Sequence, residues 1–237
     1  MAKTRLLLLP GLLNDHRLWT HQVETLADLA EAAVGDITGG DSVAALAASV
    51  LAKAPARFAL AGLSMGGYTA LEIMRQAPER VERLALLDTS ARADAPAQTE
   101  RRREFIAQVQ QGDFKGVTNR LLPLLIHPER VKDALLTATI KGMALAVGKD
   151  AFLRQQNAIM TRPDSRPRLA AIRCPTLVLC GRQDGLTPLE VHQEMAKGIQ
   201  GSALVVIEDC GHFSPLERPR AVSAVLRYWL QQPASKE

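Results

Sequence analysis

Short apolar runs alternate with longer amphipathic ones, and this alternation limits the folds open to the chain more than any other feature. The runs "RLLLL" (5–9), "EAAVGDI" (31–37), "RFALAG" (57–62) and "RLALLD" (83–88) have the length of buried strands. Between them, 19–29, 42–54 and 65–77 carry apolar residues at helical spacing. The pattern returns with "PTLVLCG" (175–181), a helix over 188–198, "ALVVIE" (203–208) and a closing helix over 216–231 ahead of Pro233. Such alternation predicts an α/β fold, a mostly parallel sheet of about six strands with helices on both faces. From Thr89 to Arg173 only helical patterns occur, over 96–111, 113–125, 128–147 and 149–161. The chain is therefore divided into an α/β core, 1–90 with 170–237, and an all-helical insertion, 91–169, of a size normal for a small subdomain.

Composition narrows the class of function. Of 237 residues, 47% are apolar and 23% charged, as in a soluble globular protein. The net charge of +4 comes from 29 basic and 25 acidic residues mixed along the chain. Aromatics make up only 4% and do not interleave with basic residues, which argues against a nucleic-acid surface. The one dense basic cluster, Arg101-Arg102-Arg103, could receive a carboxylate beneath the insertion, but reads better as a solvated helix face, since three consecutive residues cannot all point inward. Three cysteines, Cys174, Cys180 and Cys210, without CxxC spacing favour neither a disulfide framework nor a metal site. The opening "MAKTRLLLLPGLL" starts basic and turns apolar, but Pro10-Gly11 interrupts it after four leucines. No run approaches membrane-spanning length, so a cytoplasmic protein without a membrane partner is expected.

The chemistry centres on "LAGLSMGGYTALEIM" (60–74), where Gly62-Leu63-Ser64-Met65-Gly66 has the form G-x-S-x-G between a strand and a helix. A serine on so sharp a turn is forced into strained backbone angles. Side chains two positions away would strike the neighbouring strand and helix, so glycine is required at 62 and 66, and Gly67 allows closer packing. The hydroxyl is then exposed at the carboxyl edge of the sheet, beside a helix N-terminus able to stabilise negative charge.

A serine hydroxyl needs a base, and the base an orienting acid. Of five histidines, only His212, in "EDCGHFSPLERP", follows a predicted strand in a loop free to reach another loop. Asp184 in "CGRQDGLTP" follows the strand 175–181 in the same way, and Asp88, closing the strand 83–88, competes for the role of acid.

With these residues in the order Ser64, Asp184, His212, the chain resembles the α/β-hydrolase superfamily, in its lid-bearing serine-esterase-like branch. The resemblance covers 5–90 and 170–232. It implies Ser64 as nucleophile, His212 as general base and Asp184 as its orienting acid. It further implies an oxyanion hole from the backbone N–H groups of Met65 and of Leu12 in "PGLLND", with the insertion as lid. The implied reaction is hydrolysis of a carboxylic ester or related small acyl compound through an acyl-enzyme, with no metal or organic cofactor. Carbon–carbon hydrolase, lactonase, thioesterase or perhydrolase chemistry on the same residues, or a weakly catalytic receptor, are the alternatives. Insertion residues such as Ile126, Met143, Phe152 and Met160 suit a partly apolar group. Two departures stand out. Pro10-Gly11 replaces the family's frequent His-Gly, and an antiparallel hairpin before the first strand has no room, which predicts six strands with "AAVGD" at an edge.

Overall fold

The computed structural model describes residues 3–112 and 114–233. Six strands form one sheet: β1 (Thr4–Leu9), β2 (Ala30–Val34), β3 (Phe58–Leu63), β4 (Val81–Leu87), β5 (Thr176–Gly181) and β6 (Ala203–Ile207). Every pairing is parallel, in the order β2-β1-β3-β4-β5-β6, with β2 at one edge as its weak apolar pattern predicts. Around the sheet run α1 (Thr20–Thr25), α2 (Val43–Lys53), α3 (Met65–Gln76), α4 (Pro96–Gln111), α5 (Leu122–Leu125), α6 (Ala134–Met160), α7 (Leu189–Gly198), α8 (Ser214–Glu217) and α9 (Pro219–Gln231). No helix among the described residues is long and apolar enough to cross a membrane.

The central strands are apolar without interruption because both faces are covered. Successive residues feed opposite cores. Leu6, Leu8, Ala59, Ala61, Leu63, Ala85 and Leu87 share one cluster with Trp19, Leu226 and Trp229. Leu7, Leu9, Leu60, Leu84 and Leu86 join the other with Val50, Ile73 and Met195 of α2, α3 and α7. Local signals set the helix starts. Ser42 caps α2 by accepting the Ala45 N–H at 3.2 Å, and Asp133 caps α6 by accepting that of Leu136 at 3.0 Å.

Between β4 and β5 the chain is helical, but less continuously than its apolar spacing predicts. Of the helix expected over 113–125, residue 113 lies outside the described residues and the remainder is reduced to the single turn of α5. Gly116 lies in the left-handed region at φ +58°, and Pro123 starts a new turn. α6 bends at Gly148 (φ +81°), the residue the sequence leaves between two helices. Ile126, Met143 and Phe152 are buried in the same cluster as Leu18 and Trp19, so the insertion closes over the first of the two cores. Polar groups tie it down as well. Gln155, fully buried, accepts the Leu13 N–H at 3.1 Å and donates to the Ile37 carbonyl at 3.2 Å. Within the insertion itself, Asp94 pairs with Arg162 at 2.5 Å and with Arg102 at 2.8 Å, and Arg102 also donates to Gln156. Arg102 thus turns inward while Arg101 and Arg103 stay exposed. Where the insertion leaves and rejoins the core, Ser165 N–H donates to the Ala91 carbonyl at 2.8 Å.

Candidate active site

Connections leave β1 toward β2 on one side and reach β3 on the other, which opens a crevice at the carboxyl ends of β1 and β3. Ser64 follows β3 and the turn Gly11–Leu13 follows β1, so both stand at this crevice. Asp88, Asp184 and His212 follow β4, β5 and β6 at the same edge.

Ser64 adopts φ +53° and ψ −114°, a region costly for any residue with a side chain. The geometry accounts for its glycines. A Cβ on Gly62 would collide with the Gly66 carbonyl, one on Gly66 would collide with the Leu9 carbonyl and lie 2.5 Å from that of Pro10, and one on Gly67 would strike the Thr89 side chain. These obstacles are mostly backbone and cannot move aside. The Ser64 N–H donates to Leu87 at 3.0 Å, and the Thr89 hydroxyl donates to the Ser64 carbonyl at 2.7 Å, so β4 and its following loop brace the turn. The Ser64 side chain makes no cap on α3 and is half-buried.

His212 and Asp184 are in direct contact, with Nδ1 2.8 Å from Asp184 Oδ2. Asp184 is held in turn by the N–H groups of Leu186 and Thr187, both at 2.9 Å, and by the Thr187 hydroxyl at 2.6 Å. Burial alone would raise the carboxyl's pKa. The His212 charge and these hydrogen bonds outweigh it and hold Asp184 below its usual range. Burial alone would lower the His212 pKa; the charge and hydrogen bond of Asp184, with the charges of Asp88 and Glu217, lift it above the ordinary imidazole value. Among the described residues, no hydrogen bond joins the Ser64 hydroxyl to His212, whose ring bonds both run through Nδ1.

Asp88, the competing acid, faces elsewhere. Its carboxylate accepts from the Gly181 N–H at 3.0 Å and from the Ser214 hydroxyl at 2.5 Å, so it binds the ends of β5 and α8 together. Burial, and then the charge of Asp184, push its pKa well above the usual carboxylate range. Of the other histidines, His16 is exposed, His21 meets Ser223 at 2.9 Å, and His127 lies on the insertion. Met65 opens α3 and is buried, and Leu12 is half-buried in the turn after β1. That turn abuts the serine: a Cβ built on Gly11 would lie 3.4 Å from Ser64 Cβ. Leu13 within it has φ +58° and is held by Gln155.

Three supporting residues carry no local sequence signal. Thr187 orients Asp184. Fully buried His192 accepts the Thr89 N–H on Nε2 at 2.9 Å and meets the Pro188 carbonyl through Nδ1 at 3.2 Å, while burial pulls its pKa down to about 4. A neutral ring with its proton on Nδ1 satisfies both contacts. Glu217, five residues after His212, is the third.

Residues 40–219, more than half the chain, match the family model described as alpha/beta hydrolase fold. The chain is 27% identical over 183 residues to the 2-hydroxy-6-oxononadienedioate/2-hydroxy-6-oxononatrienedioate hydrolase of Escherichia coli K12, a match spanning 75% of this chain and 64% of that protein's length. Among solved structures it is similar to a malate-bound thermophilic esterase from Thermogutta terrifontis, with a TM-score of 0.88 and 31% identity over 97% of this chain and 90% of the other. The enol-lactonase of Burkholderia xenovorans LB400 shares the fold, with a TM-score of 0.85 and 24% identity over 98% and 93% of the two chains. Sheet order, strained serine turn and family match agree: the chain belongs to the α/β-hydrolase fold family.

Proposed function

We propose that the protein is a serine hydrolase acting on a carboxylic ester or related small acyl compound. The observation that carries this reading is the buried Asp184–His212 pair at the sheet edge where Ser64 is held in a strained turn. Ser64 Oγ attacks the acyl carbon as His212 Nε2 takes its proton, and the C–Oγ bond forms. The Met65 and Leu12 N–H groups receive the charge developing on the carbonyl oxygen. The alcohol leaves with the proton returned by His212. Water, deprotonated by the same nitrogen, then releases the acid and restores Ser64. Contact between Ser64 Oγ and Nε2 is the geometry that substrate docking completes. The insertion acts as a lid over the crevice, its apolar residues facing the acyl or leaving group, and the reaction runs in the cytoplasm without metal or organic cofactor.

The 31% identity to a thermophilic esterase over nearly the whole chain favours ester cleavage. The 27% match to a hydrolase of hydroxy-oxo-dienedioates supports carbon–carbon cleavage on the same residues as a second reading. Fluorophosphonate labelling with peptide mapping tests the common core of both. A single adduct on Ser64, absent from His212→Ala, is expected; folded protein that takes up no label would sink the proposal. Hydrolysis of p-nitrophenyl acetate should fall about 10⁶-fold in Ser64→Ala.

A further inference from the structure

We infer that Glu217 is a positioning residue for His212 and that its carboxylate couples the histidine loop to the insertion. Glu217 is 1% exposed, in the turn of α8. Its Oε1 accepts the Gly211 N–H at 3.0 Å and the Phe213 N–H at 3.2 Å, the peptide groups immediately before and after His212. Its Oε2 accepts the His127 N–H of the insertion at 2.7 Å. The His212 N–H donates to the Leu125 carbonyl at 3.0 Å. The two segments touch closely: a Cβ on Gly211 would lie 2.6 Å from the Ile126 carbonyl carbon and 2.7 Å from the His127 nitrogen.

Three N–H groups from two distant parts of the chain therefore converge on one buried side chain. Only a carboxylate, which accepts on both oxygens and donates nothing, satisfies all three. Fixing the peptides on both sides of His212 fixes the direction of its side chain, whose Nδ1 must meet Asp184 at 2.8 Å. Because the third bond reaches the insertion, seating of residues 125–127 and alignment of the imidazole depend on the same group. The catalytic consequence rests on the reading of His212 as general base.

Three full-length variants separate these roles. Glu217→Ala removes every bond. Glu217→Gln keeps one carbonyl oxygen for the Gly211 and Phe213 N–H groups but turns an amide donor toward His127. Of the three donors to Glu217, His127→Pro deletes only the third, together with the cap that His127 Nδ1 gives the Glu129 N–H at 3.3 Å; residue 127 has φ −53°, as proline requires, and Ile126 is extended. The readouts are the rate constant for fluorophosphonate labelling of Ser64, kcat and KM for p-nitrophenyl acetate, and the low-field Nδ1–H proton resonance of His212.

Labelling and kcat are expected to fall about 100-fold in Glu217→Ala with little change in KM, as for a misplaced catalytic group. A loss of roughly tenfold is expected in His127→Pro, as for one hydrogen bond to a charged acceptor. Glu217→Gln should lie between the wild type and Glu217→Ala. Folded Glu217→Ala with wild-type labelling and an unchanged resonance would overturn the positioning role, and wild-type behaviour of His127→Pro would overturn the coupling. If Glu217→Ala does not fold, wild-type rates in both other variants overturn the inference. If the wild type itself takes no label, the hydrolase reading fails and the resonance alone decides: a shift in the variants supports the clamp, and an unmoved one overturns it.

Discussion

His192 gives a sharp thermodynamic prediction because its surroundings favour one charge state. Buried in α7 behind the serine turn, it accepts the Thr89 N–H, and Thr89 holds the Ser64 carbonyl. Desolvation is the largest influence on the ring, and it lowers the pKa from 6.5 to about 4. The unfolded chain therefore takes up this proton first as the pH falls. The stability linked to His192 is complete above pH 6.5, declines between 6.5 and 4, and is flat below 4. The interval of about 2.5 pH units, at 1.36 kcal/mol each, corresponds to ~3 kcal/mol. His192→Gln places a non-titrating oxygen near Nε2, able to accept from Thr89, and forfeits the Pro188 contact at a cost of about 1 kcal/mol. Urea unfolding of both proteins from pH 4 to 8, followed by circular dichroism, should show the wild type ahead near neutrality and behind at pH 4. Other titrating groups occur in both chains and cancel in the difference. Parallel curves across this range would refute the assignment of a buried neutral imidazole.

Three further outcomes are expected. Ester hydrolysis should rise with pH through a midpoint above 6.5, because Asp184 lifts the His212 pKa and only the neutral ring can act as base. Asp184→Asn should lower that midpoint and cost about 10⁴ in kcat; if it costs nothing, Asp88 is the acid. Gly66→Ala should destabilise by about 3 kcal/mol or more, because the new methyl would meet two backbone carbonyls, whereas Gly185→Ala, with no atom within 4 Å of its Cβ, should be nearly neutral in thermal unfolding.

What the sequence reveals, and where it stops, follows from the range of each interaction. The requirement for glycine at 62 and 66 is local to a strand–turn–helix unit and can be argued from seven residues. His212 and Asp184 can be singled out because each follows a strand, and parallel strands bring their carboxyl ends to one edge. The same logic admits Asp88. Only tertiary placement separates the two acids, giving Asp88 to Gly181 and Ser214 and Asp184 to the imidazole. In the insertion, apolar spacing over 113–125 imitates a helix although Val117 is buried from an irregular backbone and only 122–125 form a helical turn. Gln155 and His192 act on groups far away in sequence, as Glu217 does through its bond to His127, and nothing in their neighbours announces it.

The hydrogen bond from Ser165 to Ala91, with that from Arg162 Nε to the Arg92 carbonyl at 3.0 Å, makes the stretch between them an exchangeable cassette. To the sheet, a loop stapled at its base has nearly the same entropic cost whatever its length, about 0.6 kcal/mol for each doubling. The core can then accept a different segment there without renegotiating its own fold. A replacement needs to reproduce the plugs at which this one seats, among them an acceptor for the Leu13 N–H, a donor to the Ile37 carbonyl, an acceptor for the His212 N–H and a donor for Glu217. On the proposed reading, cassettes grafted between these staples would change the substrate range and leave the edge that carries Ser64, Asp184 and His212 unchanged.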